Sequence, residues 1–156
     1  LGSTSLLLST SVVVFKSRSL ESAYPGLGRM MEKEAAALLA DFDAHGNLLS
    51  RVRSAIYRRL GTGDPTVDAV AADLELTVRT LQSRLQRQGS GFQDVLDGLR
   101  RSLAALYLRN PALRLTEIAL LLGFAESSSF SRAFRRWRGE SPVSWRRRLP
   151  RPDPSG

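Results

Sequence analysis

With 156 residues, 42% of them hydrophobic and 24% charged, the chain is long enough for one moderate core, or for a small core with an appendage. It has no cysteine and one histidine, so disulfides, thiolate metal sites and a cysteine nucleophile are excluded, and no catalytic set or Gly-rich phosphate loop can be placed. The net charge of +8 is unevenly spread: residues 1–50 hold four basic and five acidic side chains (net −1), whereas residues 51–156 hold nineteen and ten (net +9).

In chain order, Leu6 to Phe15 is apolar but short and is interrupted by Ser9, Thr10 and Ser11, so it does not read as a membrane span. The start, Leu1-Gly2-Ser3, lacks both an initiator Met and the basic opening of a signal peptide, and a trimmed piece of a longer protein is expected. Residues 12–15 could form one strand. The Ala-, Leu-, Met- and Glu-rich stretch 29–42 and the stretch 48–60 read as helices, separated by a turn around His45, which is expected to be a solvated loop residue rather than a ligand. Gly61-Thr62-Gly63-Asp64-Pro65 breaks the chain, and helical patterning resumes beyond it.

The strongest internal signal follows. Val67-x-x-Val70-Ala71-x-x-Leu74 returns 48 residues later as Leu115-x-x-Ile118-Ala119-x-x-Leu122, each a one-sided apolar stripe at helical spacing. A short turn follows each stripe, and then a helix with an apolar i, i+4 pair: Leu81 and Leu85 first, Phe130 and Phe134 second. Helix, short turn and second helix is the helix-turn-helix layout. Between the two units, Phe92, Val95, Leu96, Leu99, Leu103 and Leu106 form one continuous stripe that Asn110-Pro111 ends. A helix over 92–109 would be a rod of about 27 Å, able to hold two recognition helices about one DNA turn apart.

All nineteen basic residues beyond residue 50 are Arg. A merely solvated surface usually mixes Lys with Arg, whereas the planar guanidinium fork suits phosphates and base edges. If Leu81 and Leu85 point inward, the rotation of about 100° per residue turns Arg79, Ser83 and Gln86 outward, with Gln82 at the edge. If Phe130 and Phe134 point inward, Ser128, Ser131, Arg132 and Arg135 face out. Arg can read guanine and Gln can read adenine bidentately.

Residues 64–149 resemble the DNA-binding domain of the AraC/XylS family of bacterial transcription regulators. The resemblance rests on Ile118-Ala119-x-x-x-Gly123-Phe124, Phe130-Ser131-Arg132-x-Phe134-Arg135-Arg136, Gly139-x-Ser141-Pro142 and Arg100-x-x-x-Ala104-x-x-x-Leu108. It implies an all-α fold: two helix-turn-helix subdomains (66–89 and 114–138) joined by a long linker helix (92–109), preceded by a short, mostly helical segment. Residues 1–60 would then be a remnant of an amino-terminal effector domain and its linker. The resemblance puts base reading on Arg79, Gln82 and Ser83 in the first unit, and on Ser127, Ser128, Ser131 and Arg132 in the second.

Gln86 joins the readers from its outward position. Arg84, Arg87, Arg135, Arg136, Arg138 and Arg146 are expected to grip phosphate, although the run Arg146-Arg147-Arg148 could equally be a solvated tail. Ser127 either caps its helix or reads a base. Trp137 and Trp145 are expected in the core, and Gly123 serves the turn through a positive φ. Thr66 suits a helix cap, but Arg114 stands at the matching place in the second unit.

The partners implied are double-stranded DNA and RNA polymerase, with no membrane, no cofactor and no metal. An effector would bind the part of the protein that is missing here, and the piece itself is expected to be a monomeric, cytoplasmic, nucleoid-associated DNA binder and not an enzyme. Two other readings stay open: a nucleoid-type binder of low sequence preference, and a helical adaptor whose arginines meet an acidic protein partner.

Overall fold

The computed structural model describes residues 27–42, 47–62 and 65–151. The strand considered at 12–15 and the turn around His45 lie outside them. The described residues form helices only: α1 (Leu27–Phe42), α2 (Leu48–Leu60), α3 (Val67–Asp73), α4 (Val78–Arg87), α5 (Phe92–Leu108), α6 (Leu115–Leu121), α7 (Ser127–Arg138) and α8 (Pro142–Arg148). Among them no helix is long and apolar enough to cross a membrane.

Short side chains placed just before the helices start four of the eight. Asn47 accepts from the Ser50 amide at 3.1 Å, Thr66 from Ala69 at 3.2 Å, Thr77 from Thr80 at 3.1 Å and Ser141 from Ser144 at 3.1 Å. Each bond satisfies a backbone N–H that the first helical turn cannot. α6 begins at Arg114, which cannot accept such a bond. Its third helical residue substitutes: the Glu117 carboxylate accepts the Arg114 amide at 2.7 Å. Asp94 does the same for Gly91 at the start of α5, at 3.0 Å. An acidic group in the first turn also meets the positive end of the helix dipole.

The linker helix α5 is the spine. Val95, Leu96, Leu99, Leu103, Ala104, Tyr107 and Leu108 are all buried along it. One contiguous cluster joins them to Val70 of α3, Leu81 and Leu85 of α4, Ile118 of α6, and Phe130 and Phe134 of α7. α2 belongs to the same cluster through Val52, Ala55, Ile56 and Leu60, and it packs along α5 and α3. The boundary expected near residue 64 therefore falls between helices that share one core. Tyr57 of α2 and Tyr107 of α5 interact within this packing, and burial raises both phenols above their ordinary value. α1 lies against α2 and α5, with Ala35 fully buried and Met30 exposed.

Candidate nucleic-acid interface

α3 and α4 make the first helix-turn-helix, α6 and α7 the second. Each pairs a seven-residue helix with a longer one. In α4, Leu81 and Leu85 are completely buried, which fixes the rotation of the helix. Arg79, Gln82, Ser83, Gln86, Arg84 and Arg87 are then exposed. Arg79, Gln82, Ser83 and Gln86 form one stripe, and with Gly91 and Phe92 they line a shallow concavity of about 480 Å³.

In α7, Phe130 and Phe134 are completely buried. Ser128, Arg132, Arg135, Arg136 and Arg138 are exposed, while Ser127 and Ser131 are half-buried. The residue before the helix is Glu126, and its side chain makes no cap bond, so Ser127 is the first helical residue and not the cap. The Ser128 hydroxyl donates to the Glu126 carboxylate at 3.2 Å, and Arg132 donates to the Ser129 hydroxyl at 3.4 Å. Both bonds orient groups on the outward face.

Arg79, Arg84, Arg87, Arg135 and Arg136 make no ion pair among the described residues. α4 contains no acidic residue, and Glu126 is the one acid at the start of α7. Both outward faces thus carry an excess of guanidinium charge among polar side chains, a surface suited to a polyanion. No group of three or more His, Cys, Asp or Glu side chains that could hold a metal lies among the described residues.

The two turns are built differently. Gly123 has φ +80, and a Cβ there would stand 3.2 Å from the Leu60 carbonyl and 3.2 Å from the Arg100 guanidinium. Both the conformation and the space require glycine. The same place in the first turn is held by Glu75 at φ 57, a left-handed conformation that costs a side-chain-bearing residue roughly 1–2 kcal/mol.

Arg100 of the linker helix is the clamp behind the second turn. Its Nε donates to the Leu122 carbonyl at 2.8 Å, an Nη donates to Gly123 at 3.4 Å, and the guanidinium lies 4.3 Å over the Phe124 ring. Burial lowers its pKa from the ordinary arginine value. Phe124, Phe130, Phe134, Trp137 and Trp145 then form a run of tilted and edge-on aromatic contacts, with centroids 5.8–6.5 Å apart, so both tryptophans pack inward as expected.

Arg146 differs from the expectation of a phosphate grip. Its Nε donates to the Leu108 carbonyl at 3.1 Å and an Nη to the Asn110 carbonyl at 3.3 Å. Leu108 ends α5, where its carbonyl has no intrahelical partner, and Asn110 lies just beyond, so the guanidinium acts as a strut between α8 and the linker helix. Sequence reasoning also overlooked Glu126 and the roles of Arg100 and Arg146. The one available signal was Arg100's position four residues from Leu96 and Ala104, on the inward stripe of α5.

The comparisons agree with this geometry. The family model described as a helix-turn-helix domain matches residues 70–148, half of the chain. The ornithine utilization regulator of Pseudomonas aeruginosa is 42% identical over 129 residues, covering 83% of this chain and 38% of that protein. The HTH-type transcriptional regulator VirS of Mycobacterium tuberculosis is 37% identical over the same length, with 83% and 37% covered. The chain therefore spans well under half the length of these relatives.

Among solved structures, the C-terminal domain of AraT, a response regulator from Geobacillus stearothermophilus, superposes with a TM-score of 0.62 at 28% identity, covering 69% of this chain and 90% of that one. A DNA-binding transcriptional dual regulator from Escherichia coli K-12 has the same fold, with a TM-score of 0.60 at 20% identity over 65% of this chain and 91% of that one. A family match over half the chain, on two helix-turn-helix units hung from one linker helix, makes this chain a member of the AraC/XylS family of transcriptional regulators.

Proposed function

We propose that the chain binds duplex DNA sequence-specifically by laying α4 and α7 in successive major grooves, and that it regulates bacterial transcription in this way. The observation that carries this reading is the pair of outward helix faces, each with its rotation locked by two completely buried side chains and each lined by unpaired cations. A base reader must be held at a fixed rotation to recognise one donor–acceptor pattern. Arg79, Gln82, Ser83 and Gln86 read bases from α4; Ser127, Ser128, Ser131 and Arg132 read them from α7. Arg84, Arg87, Arg135, Arg136 and Arg138 hold phosphates and set the register. Arg146 supports the second unit from behind.

The DNA-binding unit extends from Asn47 through α8, since α2 shares the core of the helix-turn-helix units. RNA polymerase is the partner of such a regulator, an effector acts through the part of the protein beyond this chain, and the piece binds as a monomer. Selection of bound sequences from a random duplex library, followed by salt titration on the selected and on random duplexes, tests the reading. The account expects a defined site of two half-sites. It also expects log affinity to fall linearly with log salt, by about 0.9 per phosphate contacted, with random duplexes at least about a thousandfold weaker. No enriched sequence, or equal affinity for both duplexes, contradicts specific reading.

A further inference from the structure

The end of α5, the start of α6 and α8 enclose a groove of about 410 Å³. Its floor includes Leu108, Leu115 and Val143, and Arg109, Arg147 and Arg151 stand around it. Val143 is 42% exposed, one of only two large apolar side chains left in that state among the described residues. The arginines are exposed and make no ion pair among the described residues. No acidic side chain lines the groove, and Glu140, just before α8, is already held by Arg148.

The groove does not belong to the face of α7. Trp145 stacks edge-on with Phe134 of α7, at 5.8 Å between centroids. Val143 and Arg147 each lie two residues from Trp145, about 200° around α8 at about 100° per residue, so they point away from α7. The arrangement is also wrong for a phosphate backbone, which would leave the apolar floor facing water. Arg146, which also lines the groove, is turned onto the Leu108 and Asn110 carbonyls and shapes it without offering its charge. Apolar floor, cationic rim and a volume within the roughly 300–1,000 Å³ of binding clefts describe a seat for a segment that is acidic outside and apolar at its tip.

We propose that this groove docks a short acidic segment of a partner protein, which inserts one or two apolar side chains over Val143 while its carboxylates meet Arg109, Arg147 and Arg151. A helix laying apolar residues one turn apart into the groove satisfies both requirements. This goes beyond the DNA reading, and its primary probes contain no nucleic acid, so the two can fail separately.

The test uses the full chain and fluorescence anisotropy of a labelled helical peptide with two leucines one turn apart among aspartates and glutamates. A peptide of the same pattern with lysines replacing the acids is the control. The acidic peptide should bind saturably and the basic one should not. Val143→Glu on the floor and, separately, Arg109→Glu and Arg147→Glu on the rim should each weaken the acidic peptide about tenfold or more, which corresponds to about 1.4 kcal/mol. All three side chains are exposed or contact solvent, and unchanged circular dichroism and melting temperature identify properly folded variants. The same variants should bind duplex DNA within about threefold of wild type, or about 0.7 kcal/mol. Failure of the acidic peptide to bind, or equal binding by all the variants, overturns the proposal. So does competition by duplex DNA together with a loss of DNA affinity in Arg147→Glu that matches the loss of peptide, because the groove would then be a DNA surface.

Discussion

The first helix-turn-helix unit hangs on small polar devices and an ion pair, whereas the second hangs on aromatic packing and two arginine struts. In the first, Thr66 and Thr77 cap both helices, and Arg59 of α2 reaches Asp73 at the end of α3 through bonds of 2.5 and 2.7 Å. In the second, neither helix has a side-chain cap of that kind. Five rings and the guanidiniums of Arg100 and Arg146, both drawn from other helices, hold it to the linker instead. The same layout is thus held by threonine caps and an ion pair to α2 in one copy, and by ring packing with guanidinium bonds reaching 22 to 38 residues along the chain in the other. Loss of those rings or guanidiniums should therefore disturb α7 more than loss of a threonine cap disturbs α4.

The largest effect is expected from the aromatic cluster. Phe134 is completely buried against Phe130, Trp137 and Trp145, and Phe134→Ala should cost about 3–5 kcal/mol, measured by denaturant unfolding. Leu85→Ala, at the corresponding place in α4, should cost about 2–5 kcal/mol, since it also leaves a cavity but breaks no ring contacts. A second unit no more sensitive than the first would break the contrast.

Binding variants come next. Arg79→Ala and Arg132→Ala should each weaken the preferred site by about 1–3 kcal/mol and relax the choice at one or two base pairs. Arg136→Ala should weaken all sequences alike and lower the salt slope by about 1. An Arg79→Ala variant with unchanged base preference would mean that α4 is not a reader.

The turns give changes of opposite sign. Gly123→Ala should destabilise by at least about 1–2 kcal/mol, because the φ of +80 is strained for alanine and the Leu60 carbonyl crowds its Cβ. Glu75→Gly should stabilise, by up to about 1 kcal/mol, since it relieves the positive φ while adding entropy to the unfolded chain. Thermal melts of the two variants compare them directly.

The smallest effect concerns pH. The Arg59 guanidinium hydrogen-bonded to Asp73 holds that carboxyl below the ordinary carboxylate range. A depressed carboxylate contributes stability above its unfolded pKa of about 3.9 and loses it as pH falls through the folded value. With both side chains 29% exposed, the pair is screened, and Asp73→Asn should cost about 0.5 kcal/mol near neutrality and nothing at low pH.

Much of this architecture was legible because it is local. The repeat of Val67, Val70 and Ala71 in Leu115, Ile118 and Ala119 marked the first helix of each unit, and all but Val67 and Leu115 are fully buried. Helical rotation from Leu81, Leu85, Phe130 and Phe134 anticipated the outward side chains except Ser131, which sits at the flank of α7 and is half-buried. What could not be read depends on distance along the chain. Arg100 bonds carbonyls 22 and 23 residues away and Arg146 bonds carbonyls 38 and 36 away; the inward stripe of α5 hints that Arg100 is half-buried, but no neighbour in sequence identifies the carbonyls either one reaches. α2 looked like part of a preceding segment because a Gly-Asp-Pro break follows it, yet its apolar face is what covers α5.

The central claim is that α4 and α7 read one DNA site together, at a spacing set by α5. Methylation-protection footprinting of the chain on its selected site measures this directly. The account predicts two protected major-groove segments on one face of the duplex, about 34 Å apart centre to centre, with Arg79→Ala erasing guanine contacts only in one and Arg132→Ala only in the other. A single protected segment, or two that respond identically to both variants, would contradict it.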